Sequence, residues 1–323
     1  MRVEAEYVLP LRWRDDRDLD DLTSYLRRLS TWIDVTVVDG SEPVLFRAHG
    51  RAWGLSVRHV TPAVTHGANG KVRGVLTGLA IARHECVLIA DDDVRHTPAT
   101  VTALVAELQD ADLVTPQNIF RPVPWHARWD TARSLVNRAL AADYPGTYAV
   151  RRSALARGYD PDALFENCEM ERTVRAGGGR VRVCRDLYVA RHPPTTRHFW
   201  SQRIRQAYDS HAQPLRLCLE LAIVPVTLAL RRRRGILTLL ALGTIGLAEY
   251  GRRRAGGRAV FPRSAAWWTP LWVFERGVTS WLALAIRLRG GVRYGGGRVR
   301  LAATPVRTLR RRAASDARSG GLS

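Results

Sequence analysis

Three consecutive carboxylates, Asp91-Asp92-Asp93, follow the apolar run Cys86-Val87-Leu88-Ile89-Ala90. Like charges at this spacing repel, and solvent or a cation must relieve them. Hard oxygen donors suit Mg²⁺ or Mn²⁺, held by one or two carboxylates while diphosphate oxygens and waters complete the shell. The bland alternative is a solvated acidic turn, or a cap for a helix starting near Pro98. A second candidate is Lys71, in Asn69-Gly70-Lys71 at the start of a helical pattern, where free N–H groups and the helix dipole favour a phosphate. Of 50 basic residues 49 are arginine, so this lone lysine suggests a site that needs a compact ammonium; a solvated surface lysine is the competing reading. Asp39-Gly40-Ser41 closes another apolar run and on its own reads as a turn.

The elements that position these residues alternate. Tyr7-Val8-Leu9 reads as a strand, followed by a helix with early acids (Asp15 to Asp21, then Leu22, Tyr25, Leu26 and Leu29). A strand at Val35 to Val38, a short strand from about Leu55 to Val60, a helix from Lys71 to Arg83 and the strand Cys86 to Ala90 come next. This order predicts an α/β sandwich with a mostly parallel sheet. Ligands collect at strand ends in such sheets, which is where Asp39 and Asp91 fall.

Together with Asn69-Gly70-Lys71 and Pro98, these strand ends resemble the family 2 glycosyltransferases of the GT-A fold. The resemblance extends through Gly146-Thr147-Tyr148 to Leu155, Phe165-Glu166-Asn167-Cys168-Glu169 with Gly177-Gly178, and Gln202-Arg203-Ile204-Arg205-Gln206, which is similar to a Gln-x-x-Arg-Trp motif. It covers about residues 5–210. It implies a GT-A fold (Rossmann-like, a mostly parallel sheet sandwiched by helices) and a metal-dependent, inverting transferase. Pro10 and Asp39 would then contact the nucleotide, and Lys71 the diphosphate. Asp91 and Asp93 would hold Mg²⁺ or Mn²⁺, with Asp91 also on the donor. Glu166 or Glu169 would be the general base, and Gln202 with Arg205 would bind the donor diphosphate. Two positions depart from the pattern. Pro10-Leu11-Arg12-Trp13 lacks the usual Asn, and the Asp expected as base is Asn167, whose amide cannot accept a proton. Glu166, adjacent to it, is the favoured substitute.

Composition bounds the rest. The 323 residues, 46% hydrophobic, can build a sizeable core. Cys86, Cys168, Cys184 and Cys218 show no metal or disulfide spacing, so reduced thiols are expected. The Met1 to Trp13 stretch does not read as a signal peptide. His192 and His198 read as surface or core residues, Trp125 and Trp129 as helix packing, and Cys168 as a buried filler.

The net charge of +20 is concentrated in residues 214–323, where 21 Arg face Glu220, Glu249, Glu275 and Asp316. Apolar stretches at 215–230 and 236–250, separated by Arg231 to Arg234, are short for spanning helices and suggest an interfacial pair. From Trp267 to Leu288, Glu275, Arg276, Thr279, Ser280, Ala283 and Arg287 fall on one helical face, and Trp272, Phe274, Val278, Trp281, Leu282 and Ile286 on the other. This predicts a membrane-associated helical region at 214–303 after a catalytic domain at 1–213, with a disordered Arg-rich tail at 304–323. The expected partners are a nucleotide-sugar donor, a lipid or other membrane-presented acceptor and an anionic membrane surface, met from the cytoplasmic face. A membrane-anchored nucleic-acid-binding protein leaves the motifs of residues 39–205 unused, so nucleic acid is the less favoured partner; an inactive scaffold subunit is the alternative that Asn167 raises.

Overall fold

The computed structural model describes residues 2–294 and 297–319. In chain order the elements are β1 (Glu6–Leu11), α1 (Leu19–Leu29), β2 (Asp34–Asp39), α2 (Pro43–Trp53), β3 (Arg58–Val60), α3 (Gly70–Ile81), β4 (Cys86–Ala90), β5 (Val94–Arg95), α4 (Pro98–Glu107), β6 (Leu113–Phe120), α5 (Trp125–Leu140), β7 (Thr147–Arg151), α6 (Glu166–Ala176) and β8 (Val181–Arg191). Then follow α7 (Thr196–Tyr208), α8 (Pro214–Ala229), α9 (Arg234–Arg253), α10 (Gly257–Val260), α11 (Thr269–Leu288), β9 (Val292–Tyr294), β10 (Gly297–Val299) and α12 (Val306–Ser319).

β1 to β8 form one sheet in the order β3-β2-β1-β4-β7-β6-β8-β5. β3, β2, β1 and β4 run parallel, as do β6 and β8, while β7 opposes both its neighbours and β5 opposes β8. Strand polarity therefore switches beyond β4. Alternation along β1 sends Tyr7, Leu9 and Leu11 to a core with Leu22, Tyr25, Leu26 and Leu29 of α1, and Val8 to a second core with Val72, Val75 and Leu79 of α3. β1 lies between β2 and β4, so chain connections leave it in opposite directions and a crevice opens at the strand ends there.

α3 lies very close to β1. A Cβ at Gly78 would stand 2.3 Å from a methyl of Val8. Only glycine permits that approach, which brings the α3 N-terminus to the end of β1. Asn69 caps the helix, its side chain accepting from the N–H groups of Lys71 and Val72.

The C-terminal third packs onto the sheet domain. α11 contacts α5, α7, α8 and α9, and a third core joins Trp129, Leu135, Phe199, Ala248, Phe261 and Trp272. α11 is turned with its polar side inward: Arg276, Thr279, Ser280 and Ala283 are buried, whereas Leu271, Phe274, Val278, Trp281 and Leu282 are exposed. Trp272 departs from the expected division and is buried. Leu215, Leu219 and Leu228 of α8, and Leu239, Leu240 and Leu242 of α9, are exposed as well, and Arg231 to Arg234 lie fully in the open between these helices. Among the described residues no helix is long and apolar enough to cross a membrane.

Two expectations need correction. The strand expected from about Leu55 begins only at Arg58, because residues 54–56 continue the turn of α2 as a short 3₁₀ helix. The tail expected to be disordered instead forms α12 through Ser319. It packs against α6, with Leu309 buried and Arg312 3.5 Å from Asp160, and the strand-like approach to it donates the Thr304 N–H to Glu169 at 2.5 Å. One buried leucine and these ties give the Arg-rich segment the anchoring that composition alone did not reveal.

Candidate active site

A cleft of about 1170 Å³ opens over the ends of β1 and β4 and runs on between α5, α7, α8 and α11. Pro10, Lys71, Asp91, Asp93, Glu166, Gln202 and Arg205 all line it, although they come from positions up to 195 residues apart in sequence. Lys71 Nζ lies 2.5 Å from Asp91 and 2.7 Å from Glu166, joining a strand end to the first turn of α6. Burial works against the ammonium charge, but the two carboxylates outweigh it and raise the Lys71 pKa well above the ordinary range.

The three acids have distinct surroundings. Asp93 accepts from Arg191 Nη2 at 2.5 Å, and its other oxygen is buried without a hydrogen-bond partner. Asp91 is 4.0 Å from the same guanidinium. Asp92 accepts from Trp13 Nε1 at 2.5 Å, and burial pushes its carboxyl above the usual range. The Trp13 N–H also donates to Ser41 Oγ at 2.8 Å. The tryptophan that replaces the expected Asn thus clasps the ends of β1, β2 and β4 together.

Gly146 explains itself by contact. It accepts from the Asp91 N–H at 2.8 Å, and a Cβ there would stand 2.6 Å from the Asp91 carboxylate. Its own N–H donates to Asn118 Oδ1 at 2.6 Å. The antiparallel register of β4 and β7, Ala90 opposite Thr147, brings the two segments together.

Two candidates lie away from the cleft lining. Asp39 is completely buried, and its carboxylate is engaged by His49 Nδ1 at 2.6 Å, His59 Nε2 at 3.1 Å and the Ser41 N–H at 2.9 Å. Burial pushes Asp39 up, yet hydrogen bonds from His59, His49 and Ser41 outweigh it and hold the carboxyl at about 2. These contacts fix the end of β2, and Asp39 is not among the residues that line the cleft. Glu169 is also buried, one oxygen taken by the Thr304 N–H, so α6 turns it toward the α12 approach while Glu166, three residues earlier, faces the cleft. Asn167 lines the cleft too and donates to the Pro145 carbonyl at 2.9 Å.

Gln202 and Arg205 share one face of α7, where Arg205 Nε donates to Gln202 Oε1 at 2.6 Å. His198, read from sequence as a surface or core residue, lines the cleft, and burial lowers its pKa. Other cleft residues escaped the sequence reading. Arg191 ends β8, and its role follows from β5 pairing with β8, a contact with no local signal. Asp209, just past α7, lines the inner cleft, where burial pushes its carboxyl up to about 7 against the pull of Arg205. The four cysteines are free.

Carboxylates able to hold a hard cation, a lysine at a helix start, and a further carboxylate across the cleft can bind a charged diphosphate donor and take a proton from a second substrate. Comparison with known proteins bears on that chemistry. Residues 38–164 match the sequence pattern described as "Glycosyl transferase family 2". No curated protein matches the chain by sequence. Among solved structures, a mannosyltransferase from Pyrobaculum calidifontis, in complex with GDP-Man and Mn²⁺, is 16% identical over 87% of this chain and 88% of its own, with a TM-score of 0.51. Mannosyl-3-phosphoglycerate synthase from Rubrobacter xylanophilus is 14% identical over 63% of this chain and 74% of its own, with a TM-score of 0.42. Glucosyl-3-phosphoglycerate synthase from Mycobacterium tuberculosis is 18% identical over 60% and 74%, with a TM-score of 0.41. Residues 38–164 are thus similar to the family 2 glycosyltransferases, and the fold is of the GT-A type.

Proposed function

We propose that the protein is an inverting, metal-dependent transferase that moves a hexose from a nucleotide-sugar to a membrane-presented acceptor, most simply a lipid. The observation that carries this reading is the placement of Glu166 in the same cleft as Asp91 and Asp93, linked through Lys71. The residues present fit Mg²⁺ or Mn²⁺: two carboxylates of Asp91 and Asp93 face the cleft, and one Asp93 oxygen is buried with no partner. The fold's likeness to a structure holding GDP-Man and Mn²⁺ supports the same choice. When bound, the cation would neutralise charge on the diphosphate.

The chain's own groups supply the rest. Glu166 accepts the proton of the acceptor hydroxyl as its oxygen attacks the anomeric carbon, and the bond from that carbon to the diphosphate oxygen breaks. A single displacement inverts the anomeric configuration. Lys71 and Arg205 counter the charge that develops on the departing nucleoside diphosphate, and Gln202 orients Arg205. Asn167 does not disable the site in this reading, because Glu166 faces the cleft beside it.

Membrane presentation rests on the inward polar and outward apolar sides of α11, continued by exposed leucines of α8 and α9 and bordered by Arg231 to Arg234. Arginine interleaved with apolar surface suits an anionic bilayer, and a basic loop suits its cytoplasmic face. Calorimetric titration of nucleotide-sugars with Mn²⁺ tests the donor site: the Asp91→Asn, Asp93→Asn double variant should lose metal-dependent binding while its melting temperature holds. Unchanged donor affinity would remove the assignment.

A further inference from the structure

Beyond the donor residues the cleft runs inward between α5, α7, α8 and α11, where three buried or half-buried arginines have carboxylate partners. Arg133 pairs with Asp143 at 2.8 Å, Arg203 with Asp130 at 2.8 Å, and Arg216 with Glu220 at 2.9 Å. Arg276 differs from these three. It is 2% exposed, it lines the cleft, and among the described residues no group accepts a hydrogen bond from its guanidinium and no carboxylate lies within ion-pair distance. Its recorded contact is with the ring of Trp272, 5.8 Å from the centroid. Of the carboxylates that act on it from further away, Glu220 is already taken by Arg216 and by the Ser280 hydroxyl at 2.9 Å, and Glu275 lies 3.8 Å from Arg203 and accepts from the Thr279 hydroxyl at 3.1 Å. Arg205 faces the same chamber with only the neutral Gln202 as partner. Asp209 also faces it, with one oxygen unpartnered, but its raised pKa leaves it only partly ionised at neutral pH.

A buried guanidinium with neither an ion-pair nor a hydrogen-bond partner is costly unless something arrives to neutralise it. The donor diphosphate has other cations near Asp91 and Asp93, namely Lys71 and Arg191, and α11 lies outside the residues that carry the family pattern. We infer that this inner chamber is the seat of an anionic group on the acceptor, a phosphate monoester, with Arg276 as the cation it neutralises. The inference rests on reading the cleft as a glycosyl-transfer site and names the acceptor class for it. The phosphate could belong to a lipid or to a soluble molecule. α11 favours the lipid, because its outer side carries the exposed Phe274, Val278 and Leu282, an apolar surface suited to the bilayer that would present such an acceptor.

The test is calorimetry on the full chain in uncharged detergent, without metal or nucleotide, using dodecyl phosphate and inorganic phosphate as probes. Both should bind the wild type. Arg276→Met should weaken both at least tenfold, Arg276→Lys should retain part of the affinity, and the Asp91→Asn, Asp93→Asn variant should bind as the wild type does. Dodecyl phosphate binding at least tenfold tighter than inorganic phosphate identifies a lipid acceptor; equal affinities identify a soluble phosphorylated one. Arg276→Met should melt no lower than the wild type, since it removes an unpaired buried charge. Unchanged phosphate affinity in Arg276→Met, or a lower melting temperature in that variant, overturns the inference. Phosphate binding that depends on Arg276 in a protein that fails to bind any nucleotide-sugar would leave the anion site standing and defeat the transferase reading instead.

Discussion

At the scale of single residues, the site is a set of opposed charges whose partners come from distant segments. Asp209 gives a direct way to measure this balance. Its carboxyl titrates near 7 in the fold against 3.8 when unperturbed, chiefly because it is buried. Between those values the folded chain holds a proton that the unfolded chain has lost, so this group's contribution to stability is full below pH 3.8 and is lost as pH rises to about 7. The slope approaches ~1.4 kcal/mol per pH unit for one proton. Melting temperatures measured from pH 5 to pH 8 should therefore fall more for the wild type than for Asp209→Asn, and parallel curves would show that Asp209 is an ordinary carboxylate. Asp91 and Lys71 were legible from residue type and position, since strand ends and helix starts have recognisable borders, and Glu166 through the family resemblance. Arg191, Asp209 and Arg276 were not: arginine is so abundant that no single one stands out, and the burial that sets Asp209 apart comes from packing across the fold. Asp39 shows the converse: its place at a strand end was legible, but the two histidines that enclose it come from α2 and β3 and no spacing rule joins them.

At the scale of elements, the strands β1, β2 and β4 and the helix α3 fall where alternation and capping residues put them, because each is bordered by turn chemistry that acts locally. The segment that forms β7 entered only through the family resemblance, and its antiparallel direction is decided by its partners. α12 was missed for a related reason: an Arg-rich, Ala-rich segment looks disordered until a single buried Leu309 finds α6. α11 was read with its two faces nearly right, and the structure adds that the polar one points inward. That inversion has a measurable result. Full-length protein should co-sediment with vesicles containing anionic lipid, and the double substitution Phe274→Asp, Trp281→Asp should weaken this at least tenfold without abolishing donor binding. Burying one aromatic side chain in the interface contributes about 1.5–3 kcal/mol, so two such losses exceed that threshold. Equal sedimentation of variant and wild type would remove the membrane role of this face.

At the scale of the whole molecule, the +20 charge resolves into local duties rather than one uniform field. Part of it is spent on ion pairs such as Arg216 with Glu220 and Arg252 with Glu249, part lines the cleft, and part stands exposed at Arg231 to Arg234. The C-terminal third is continuous with the catalytic cleft, because α8 and α11 wall its inner end while presenting apolar residues outward. A donor bound at Asp91 and an acceptor entering along these helices would meet at Glu166. The most direct measurement is release of nucleoside diphosphate from a nucleotide-sugar with Mn²⁺ and a lipid phosphate acceptor, comparing the wild type with Glu166→Gln. Removing the base should slow turnover by about 10²–10⁴-fold while the donor dissociation constant stays the same. Turnover by Glu166→Gln at the wild-type rate would contradict the account.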